Sequence, residues 1–354
     1  MKKVYIQSIG SVSAQKTFDN SEFLDEITDY NDTVISAVDP VYKDYIPPAA
    51  ARRMAKGIKM SVVASKIALT EAGLENVDAI ITGTGMGCLK DSEKFLSAII
   101  DNNETYLTPT SFIQSTHNTV GGQIALGLGC KGYNFTYVHS SISFESALLD
   151  AKMQLELDEA STILVGGVDE LADYTIAFNR AINYVKPTAV SLSGLLSSGT
   201  EGAVFSEGAN FFVLSNEKSE TSYGELVAVD TFNTLQKSEL NAAAKTFLKQ
   251  NGLNIVDVDL LVLGNNGDIV FDDYYRVLQE GLLSETQQLY YKHLCGEFNT
   301  ASSFGLWLAS KILKTESVPE IVSLNDIKAS KLDVILLYNQ YRGLNHSFTL
   351  IRRC

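Results

Sequence analysis

Apolar and polar positions recur with two different periods along the chain, and the change of period is clearest in the stretch Gly132–Ala151. Its first part, from Tyr133 to Val138, is rich in aromatic and β-branched residues, which favours a strand. From Phe144 to Leu155 the apolar positions recur every three or four residues, which predicts a helix. We therefore expect a strand, a tight elbow at His139-Ser140-Ser141 and a helix, and we expect the rest of the chain to bury this unit.

The same two periods predict the other elements. Strands are predicted over Val4–Gly10, Asp78–Gly87, Ser161–Gly167 and Val258–Gly264, with a hairpin over Val204–Leu214 and a last buried strand over Asp333–Tyr338. Helices are predicted over Met60–Gly73, Asn118–Leu128, Glu239–Gly252 and Gly296–Ile312, and a loop over residues 14–50. Strand, glycine-rich turn, small-residue helix and buried strand thus occur twice in the same order. This repetition indicates a duplicated α/β unit rather than a single sheet.

Composition limits the kind of protein. The chain has 354 residues, of which 45% are hydrophobic and 20% charged, so it can bury a large core. No run approaches eighteen apolar residues, and no cleavable leader follows the basic N-terminus, so we expect no membrane span and a cytoplasmic location. A net charge of −14 argues against nucleic acid as a partner. The four cysteines are widely scattered, so we expect reduced thiols and no bound metal or cofactor.

The elbow is where a covalent nucleophile is expected, because free N–H groups at the start of a helix stabilise an anion. It offers His139, Ser140, Ser141 and Ser143 but no Cys. A Ser hydroxyl needs a neighbouring base, and His139 is the candidate base. Two interpretations stay open: Ser141 is a nucleophile that His139 activates, or the elbow is a buried set of hydrogen-bonded polar side chains.

Several motifs follow one another along nearly the whole chain. They are VYIQSIGSVS, ARRM before MSVVASKIALTEAGL, GTGMG, PTSFIQSTHNTVGGQIALGLGCKG, the elbow, ILVGGVDE, VFSEGANFFVLS and KHLCGEFNTASSFG. In this order they resemble the β-ketoacyl-acyl carrier protein synthases of the thiolase fold, the condensing enzymes of fatty acid and polyketide synthesis. The resemblance implies a five-layered αβαβα fold of two similar halves, residues 1–220 with the elbow and residues 221–354. It also implies a dimer formed through the strand before the nucleophile.

The family's chemistry needs a Cys thiolate at the elbow to accept an acyl chain. The register is gapless from Gly132 forward and from Gly166-Gly167 backward, and it puts Ser141 at the Cys position. Phe144 stands where the family carries a Gly. Its ring is expected either to fill the former acyl pocket or to pack in the core.

The family also uses two His that hold the malonyl carbonyl while carbon dioxide leaves. After VDLLVLG the chain has Gly264, Asn265 and Asn266, and the resemblance assigns Asn265 to the first His position. The spacing from Lys292 puts Glu297 at the second, where the two side chains are expected to form a buried ion pair. All three catalytic side chains are therefore replaced, and the glycine-rich gate of the family is degraded over Tyr338–Asn345.

An intact scaffold without its triad implies a different role within the family. Aromatic-polyketide and aryl-polyene or flexirubin-type pathways pair an active ketosynthase with a homologue that lacks the nucleophile, the chain-length factor. The first hypothesis is such a non-catalytic subunit, which partners an active ketosynthase, or itself as a homodimer, and an acyl carrier protein. The second is an active acyl-transferring synthase variant or acyl hydrolase that uses Ser141.

Overall fold

The structure is a computed structural model that describes residues 2–354. Its strands are β1 (Tyr5–Val12), β2 (Asn31–Asp32), β3 (Ala79–Gly83), β4 (Tyr133–Tyr137), β5 (Thr162–Asp169), β6 (Val190–Ser191), β7 (Gly208–Ser215), β8 (Gly224–Asn233), β9 (Leu260–Leu263), β10 (Gln287–Tyr290), β11 (Val334–Tyr341) and β12 (Asn345–Arg352). Its α-helices are α1 (Pro48–Ala51), α2 (Lys56–Ala72), α3 (Leu89–Asp101), α4 (Pro109–Ser115), α5 (Thr119–Leu128), α6 (Ser143–Glu156), α7 (Asp173–Ala181), α8 (Lys237–Gln250), α9 (Asp273–Val277), α10 (Lys292–Cys295) and α11 (Ser302–Thr315).

The ten longer strands form two halves with the same topology. The first half has the order β4-β3-β5-β7-β1 and the second has the order β10-β9-β11-β12-β8. In each half the first three strands are parallel and the last two are added antiparallel. The halves join through a short antiparallel pairing of β1 with β8, at Tyr5 and Ile6. The predicted duplication is therefore confirmed.

Helices fill three layers around the two halves of the sheet. Helix α11 is buried from Ser302 to Leu313, because it lies together with α6 between the two halves of the sheet. The central core contains side chains of β1, β3 and β5 as well as β9 and β11. Helices α2 and α5 cover the outer face of the first half of the sheet, and α8 covers the outer face of the second half. The result is the expected αβαβα arrangement.

The strand, elbow and helix around Ser141 form as predicted, but the strand is not buried. Strand β4 is the edge of the sheet and pairs only with β3. Tyr133 and Phe135 are 44% and 45% exposed, and their rings stack in a row with Tyr137. The expectation that the chain buries this strand is wrong, because nothing in residues 2–354 lies beyond β4 in the sheet.

Three other predictions also need correction. The hairpin over Val204–Leu214 is wrong: a single strand, β7, begins at Gly208 and pairs on both sides. The helix predicted from Gly296 begins only at Ser302, and residues 296–301 form a loop instead. Strand Asp333–Tyr338 is not the last, because β12 follows it. Polar residues interrupt the apolar residues of β12, so the sequence pattern did not predict this strand.

Candidate functional site

The elbow places two neighbouring serines in different environments. Ser140 has a φ of 52°, in the left-handed region, and its side chain is exposed. This turn directs Ser141 inward, where it is only 3% exposed and its Oγ accepts a hydrogen bond from Asn345 Nδ2 at 3.0 Å. Ser143 then opens α6, and its hydroxyl donates to the Ser140 carbonyl at 2.6 Å. The backbone of the elbow is therefore fixed, with Ser141 beneath it.

His139 does not contact Ser141 through a hydrogen bond. Its Nδ1 lies 3.2 Å from Ser146 Oγ, and its backbone N–H donates to Ser143 Oγ at 2.8 Å. A base that activates Ser141 must accept its hydroxyl proton, and the His139 ring bonds to Ser146 instead. The elbow therefore brings Ser141 and His139 close along the chain without forming a catalytic pair.

Glu297 and Lys292 form the buried ion pair expected from the sequence. Lys292 Nζ lies 2.8 Å from Glu297 Oε2 and 3.1 Å from Oε1, and both residues are almost fully buried. Asn266 Nδ2 donates to the same Oε2 at 2.6 Å. Two donors thus hold the carboxylate, which lowers the cost of burying it.

Asn265, the residue assigned to the first His position, points away from this cluster. It is buried beside Asp272 in a separate polar pocket, and no partner for its Oδ1 is found within residues 2–354. Its neighbour Asn266 is the residue that reaches Glu297. Spacing along a strand end cannot decide which of two consecutive side chains faces a site, because they point to opposite sides.

A cleft of about 340 Å³ opens above the elbow. Ser140 and Glu297 line its inner end together with Asn299, whose Oδ1 accepts a hydrogen bond from Ser140 Oγ at 3.3 Å. Ile176 and Phe178 of α7 form an apolar wall. The cleft thus joins two of the assigned positions, the elbow and Glu297, but Ser141 itself is not among its lining residues.

Comparison with known proteins identifies the family. Residues 7–220 match the family model described as "Beta-ketoacyl synthase, N-terminal domain". The chain belongs to the beta-ketoacyl synthase family.

Relatives and solved structures extend this result. The chain is 27% identical over 192 residues to 3-oxoacyl-[acyl-carrier-protein] synthase 2 of Synechocystis sp. (strain ATCC 27184 / PCC 6803 / Kazusa), a match that covers 50% of this chain and 46% of that protein. The chain spans about half the length of the curated relatives that it matches.

Two solved structures share the fold over the whole chain. One is "The ishigamide ketosynthase/chain length factor", with a TM-score of 0.82 at 14% identity. The match covers 100% of this chain and 99% of the other. The "Ketosynthase (ApeO) in Complex with its Chain Length Factor (ApeC) from Xenorhabdus doucetiae" has a TM-score of 0.78 at 15% identity, with coverage of 100% of this chain and 98% of the other. The thiolase-like α/β fold predicted from the sequence is thereby confirmed.

Asp169 is a central residue of this beta-ketoacyl synthase site that the sequence interpretation passed over. One of its carboxylate oxygens accepts from the Gly85 N–H at 2.8 Å, and the other accepts from the N–H and hydroxyl of Thr300, both at 2.9 Å. Burial raises the pKa of the Asp169 carboxyl, although these donors oppose the shift. It ties the glycine-rich turn to the loop that carries Glu297. The sequence feature that could have indicated Asp169 is the acidic pair Asp169-Glu170, which follows the buried apolar residues ILVGGV.

Phe144 packs in the core directly below the elbow. Its ring is buried and lies 5.7 Å from the ring of Phe212. A Cβ atom added to Gly167 would meet the Phe144 ring at 3.2 Å, so the ring fills the space beside this strand. Phe144 therefore packs in the core, and the cavity that it lines together with Glu145 and Tyr291 has a volume of only about 10 Å³.

Arg342 holds the segment Tyr338–Asn345, which the sequence assigns to the family's gate. Its guanidinium lies 3.6 Å from the centre of the Tyr184 ring and 4.6 Å from that of Phe271, and it pairs with Asp268 at 3.3 Å. Stacking and ion pairing together fix the chain next to Tyr341, which lines the inner end of the cleft.

Within residues 2–354, no three His, Cys, Asp or Glu side chains are arranged to hold a metal ion. The same part of the chain contains no helix with the length and apolarity needed to span a membrane.

Proposed function

We propose that this chain is a non-catalytic, chain-length-factor-like subunit that pairs with an active β-ketoacyl-acyl carrier protein synthase. One observation carries the proposal: at the position of the family's Cys, the Ser141 hydroxyl is buried and bound by Asn345. A condensing enzyme needs a thiolate there, or a hydroxyl with a base beside it. Neither is present at this elbow.

The second assigned position supports the same role. An ionised carboxylate only accepts hydrogen bonds, so Glu297 cannot donate one to a substrate carbonyl as an imidazole N–H does. Its charge would also oppose the negative charge that develops when carbon dioxide leaves a malonyl group. Glu297 instead accepts hydrogen bonds from Lys292 and Asn266, and these bonds hold the loop beside the cleft in place.

The exposed edge strand supports a partner subunit. Strand β4 presents unpaired backbone groups and the rings of Tyr133 and Phe135 to solvent. An edge of this kind normally pairs with another chain or is blocked by charged side chains. The large exposed side chains of β4 are aromatic rather than charged, which favours pairing. The partner that we propose is an active ketosynthase, with β4 as the contact; a homodimer through the same strand is the form expected when that partner is missing.

An acyl carrier protein is the third component. Arg52 and Arg53 are exposed just before α2, and no carboxylate of residues 2–354 lies within 4 Å of either. The first turn of α2 is tied to the cleft, since the Gly57 N–H donates at 2.7 Å to Glu170, a cleft residue. A basic patch at this place suits an acidic carrier. The complex would act in fatty-acid-like, aryl-polyene or polyketide biosynthesis.

The alternative, an acyl-transferring synthase or hydrolase that uses Ser141, has less support because His139 bonds to Ser146 instead. Intact-protein mass spectrometry decides between the two. The chain, its Ser141→Ala variant and a Cys-bearing candidate partner are each incubated with acyl-loaded carrier protein, alone and mixed. We expect an adduct only on the partner. An adduct on the lone wild-type chain that is absent from Ser141→Ala would overturn the non-catalytic role.

A further inference from the structure

A second cleft is lined by the chain neighbours of Tyr184, Asn183 and Val185, and nothing in the proposed function uses it. Its volume is about 770 Å³, within the range of small-molecule sites. It is lined by Thr33, Arg180, Asn183, Val185, Lys186, Pro187, Gly199, Thr200, Glu201 and Ile269. Two cations and one exposed carboxylate thus face the cleft, in a chain whose net charge is −14.

Lys186 is the unusual member of this set. It is only 1% exposed, and its Nζ donates to Ser198 Oγ at 2.8 Å, to the Thr200 carbonyl at 2.9 Å and to the Gly267 carbonyl at 2.5 Å. All three acceptors are neutral, and no carboxylate of residues 2–354 lies within 4 Å of the ammonium. Burial lowers the pKa of Lys186 to about 8. Asp268 and Asp272 offset part of the cost of burying this cation from a longer distance, and an anion in the adjacent cleft would stabilise it further.

Arg180 offers the direct contacts that Lys186 cannot, since the three protons of the Lys186 ammonium are already donated. The Arg180 guanidinium is exposed at the cleft, and it makes no ion pair within residues 2–354. Its Nη2 donates to Thr33 Oγ1 at 3.1 Å, which leaves the Thr33 hydroxyl proton free to donate onward. The other guanidinium N–H groups form the planar fork that suits a phosphate.

The lining of the cleft also includes a threonine whose hydroxyl has no hydrogen-bond partner within residues 2–354. This residue is Thr200, and its Oγ1 is buried. Val185, Pro187 and Ile269 supply apolar surface to the same lining. The lining thus combines hydroxyls and cations with an apolar wall, and the volume exceeds what an inorganic anion alone would occupy.

We propose that this cleft binds a phosphate monoester, with the phosphate held by Arg180 and the hydroxyl of Thr33, near the charge of Lys186. The organic part of the ligand then lies on Val185, Pro187 and Ile269. This site is independent of the partner role proposed above, because none of its residues belongs to the elbow or to β4.

Isothermal titration with phenyl phosphate and with inorganic phosphate, at constant ionic strength set with sodium chloride, tests the site. We expect saturable binding of both, tighter for phenyl phosphate because of the apolar wall. Arg180→Gln should weaken binding about tenfold or more, as expected for the loss of a charge-assisted contact. Glu201→Gln should tighten it, because it removes the one facing negative charge. Arg276→Gln, at an exposed arginine outside the cleft, should leave binding unchanged.

Ile269→Glu provides a second variant, since Ile269 is half exposed and the change adds a negative charge to the wall without emptying the core. It should abolish binding while the thermal unfolding curve stays that of the wild type. The absence of saturable binding to the wild-type chain, or equal binding by the wild type, Arg180→Gln and Ile269→Glu, would overturn the proposal. Tighter binding by Arg180→Gln would also overturn it, by showing that Arg180 does not hold the phosphate.

Discussion

Asn345, the first residue of β12, donates a hydrogen bond to Ser141, the buried residue of the elbow, across 204 positions of the chain. The bond joins the second half of the fold to the first at the position that the sequence assigns to the family's nucleophile. It fixes the hydroxyl away from the cleft, while the adjacent Ser140 faces it. Accessibility at this elbow therefore changes between two consecutive residues.

Thiol labelling can measure this difference. We expect a cysteine in Ser141→Cys to react with iodoacetamide at least about tenfold more slowly than one in Ser140→Cys, because a buried thiol has a raised pKa and little access to the reagent. The native cysteines give the background, which the wild-type chain measures. Equal rates for the two variants would show that Ser141 is open to the cleft, contrary to its burial in the structure.

The pair of Lys292 and Glu297 should matter for stability as a unit. Lys292→Met leaves a buried carboxylate with Asn266 as its remaining donor, so we expect a loss of about 3–5 kcal/mol in the free energy of unfolding. The double variant Lys292→Met/Glu297→Gln should recover part of this loss, because no charge is then left buried. Chemical denaturation measures both.

The exposed pair of Lys2 and Asp158 is the matched control for that experiment. Lys2→Ala should change the free energy of unfolding by less than about 1 kcal/mol, since exposed ion pairs contribute little. A double variant less stable than Lys292→Met alone would contradict the argument from the uncompensated charge.

His293 should make the fold sensitive to acid. It stacks on Tyr290 at 3.8 Å, and its Nε2 lies 3.0 Å from the Ile321 carbonyl oxygen. Burial lowers the pKa of His293 from 6.5 to about 3. The unfolded chain therefore takes up this proton first as the pH falls, so stability is complete above about pH 6.5 and is lost towards pH 3.

The variant His293→Gln keeps a donor near the Ile321 carbonyl but does not titrate. We expect the wild type to lose about 2–3 kcal/mol more stability than this variant between pH 7 and pH 4. Urea denaturation at several pH values measures the difference. Parallel curves for the two proteins would show that His293 is protonated in the folded state.

The edge strand predicts which surface change prevents assembly. Phe135→Lys places a charge in the row of exposed rings on β4, where it should reduce association with the partner subunit by at least about tenfold, as charges on edge strands do. Val256→Lys, at a residue that is 88% exposed elsewhere, is the control and should have no effect. Light scattering after size-exclusion chromatography measures the mass of the complex. Normal assembly of Phe135→Lys would exclude β4 as the contact.

The sequence predicted what depends on local periodicity. The duplication, strand β3 and helix α6 follow from apolar spacing, and the change of period between strand and helix located the elbow around Ser141. Edge position does not follow from spacing, because aromatic residues such as Phe135 favour a strand whether or not a neighbour covers it. Strand β12 was missed for a related reason: it is buried on both faces, yet it carries His346, whose partner Tyr338 is visible only in the fold.

The site shows the same limit at finer scale. The sequence led to Lys292 and Glu297, because they are only five residues apart, on α10 and the segment directly after it. It assigned Asn265 to the first His position, whereas the side chain that reaches Glu297 is that of Asn266, since the direction of a side chain after a strand depends on the turn that follows. It also missed Asp169, whose partners Gly85 and Thr300 come from distant parts of the chain.

The uncovered edge of β4 has a consequence for how the protein is made in the cell. A copy synthesised in excess of its partner would keep its aromatic edge in water, where it can template pairing with other unfinished chains and engage chaperones and proteases. Balanced synthesis of the two subunits would then be a requirement for solubility rather than for catalysis. The amount of partner available would set the lifetime of this chain.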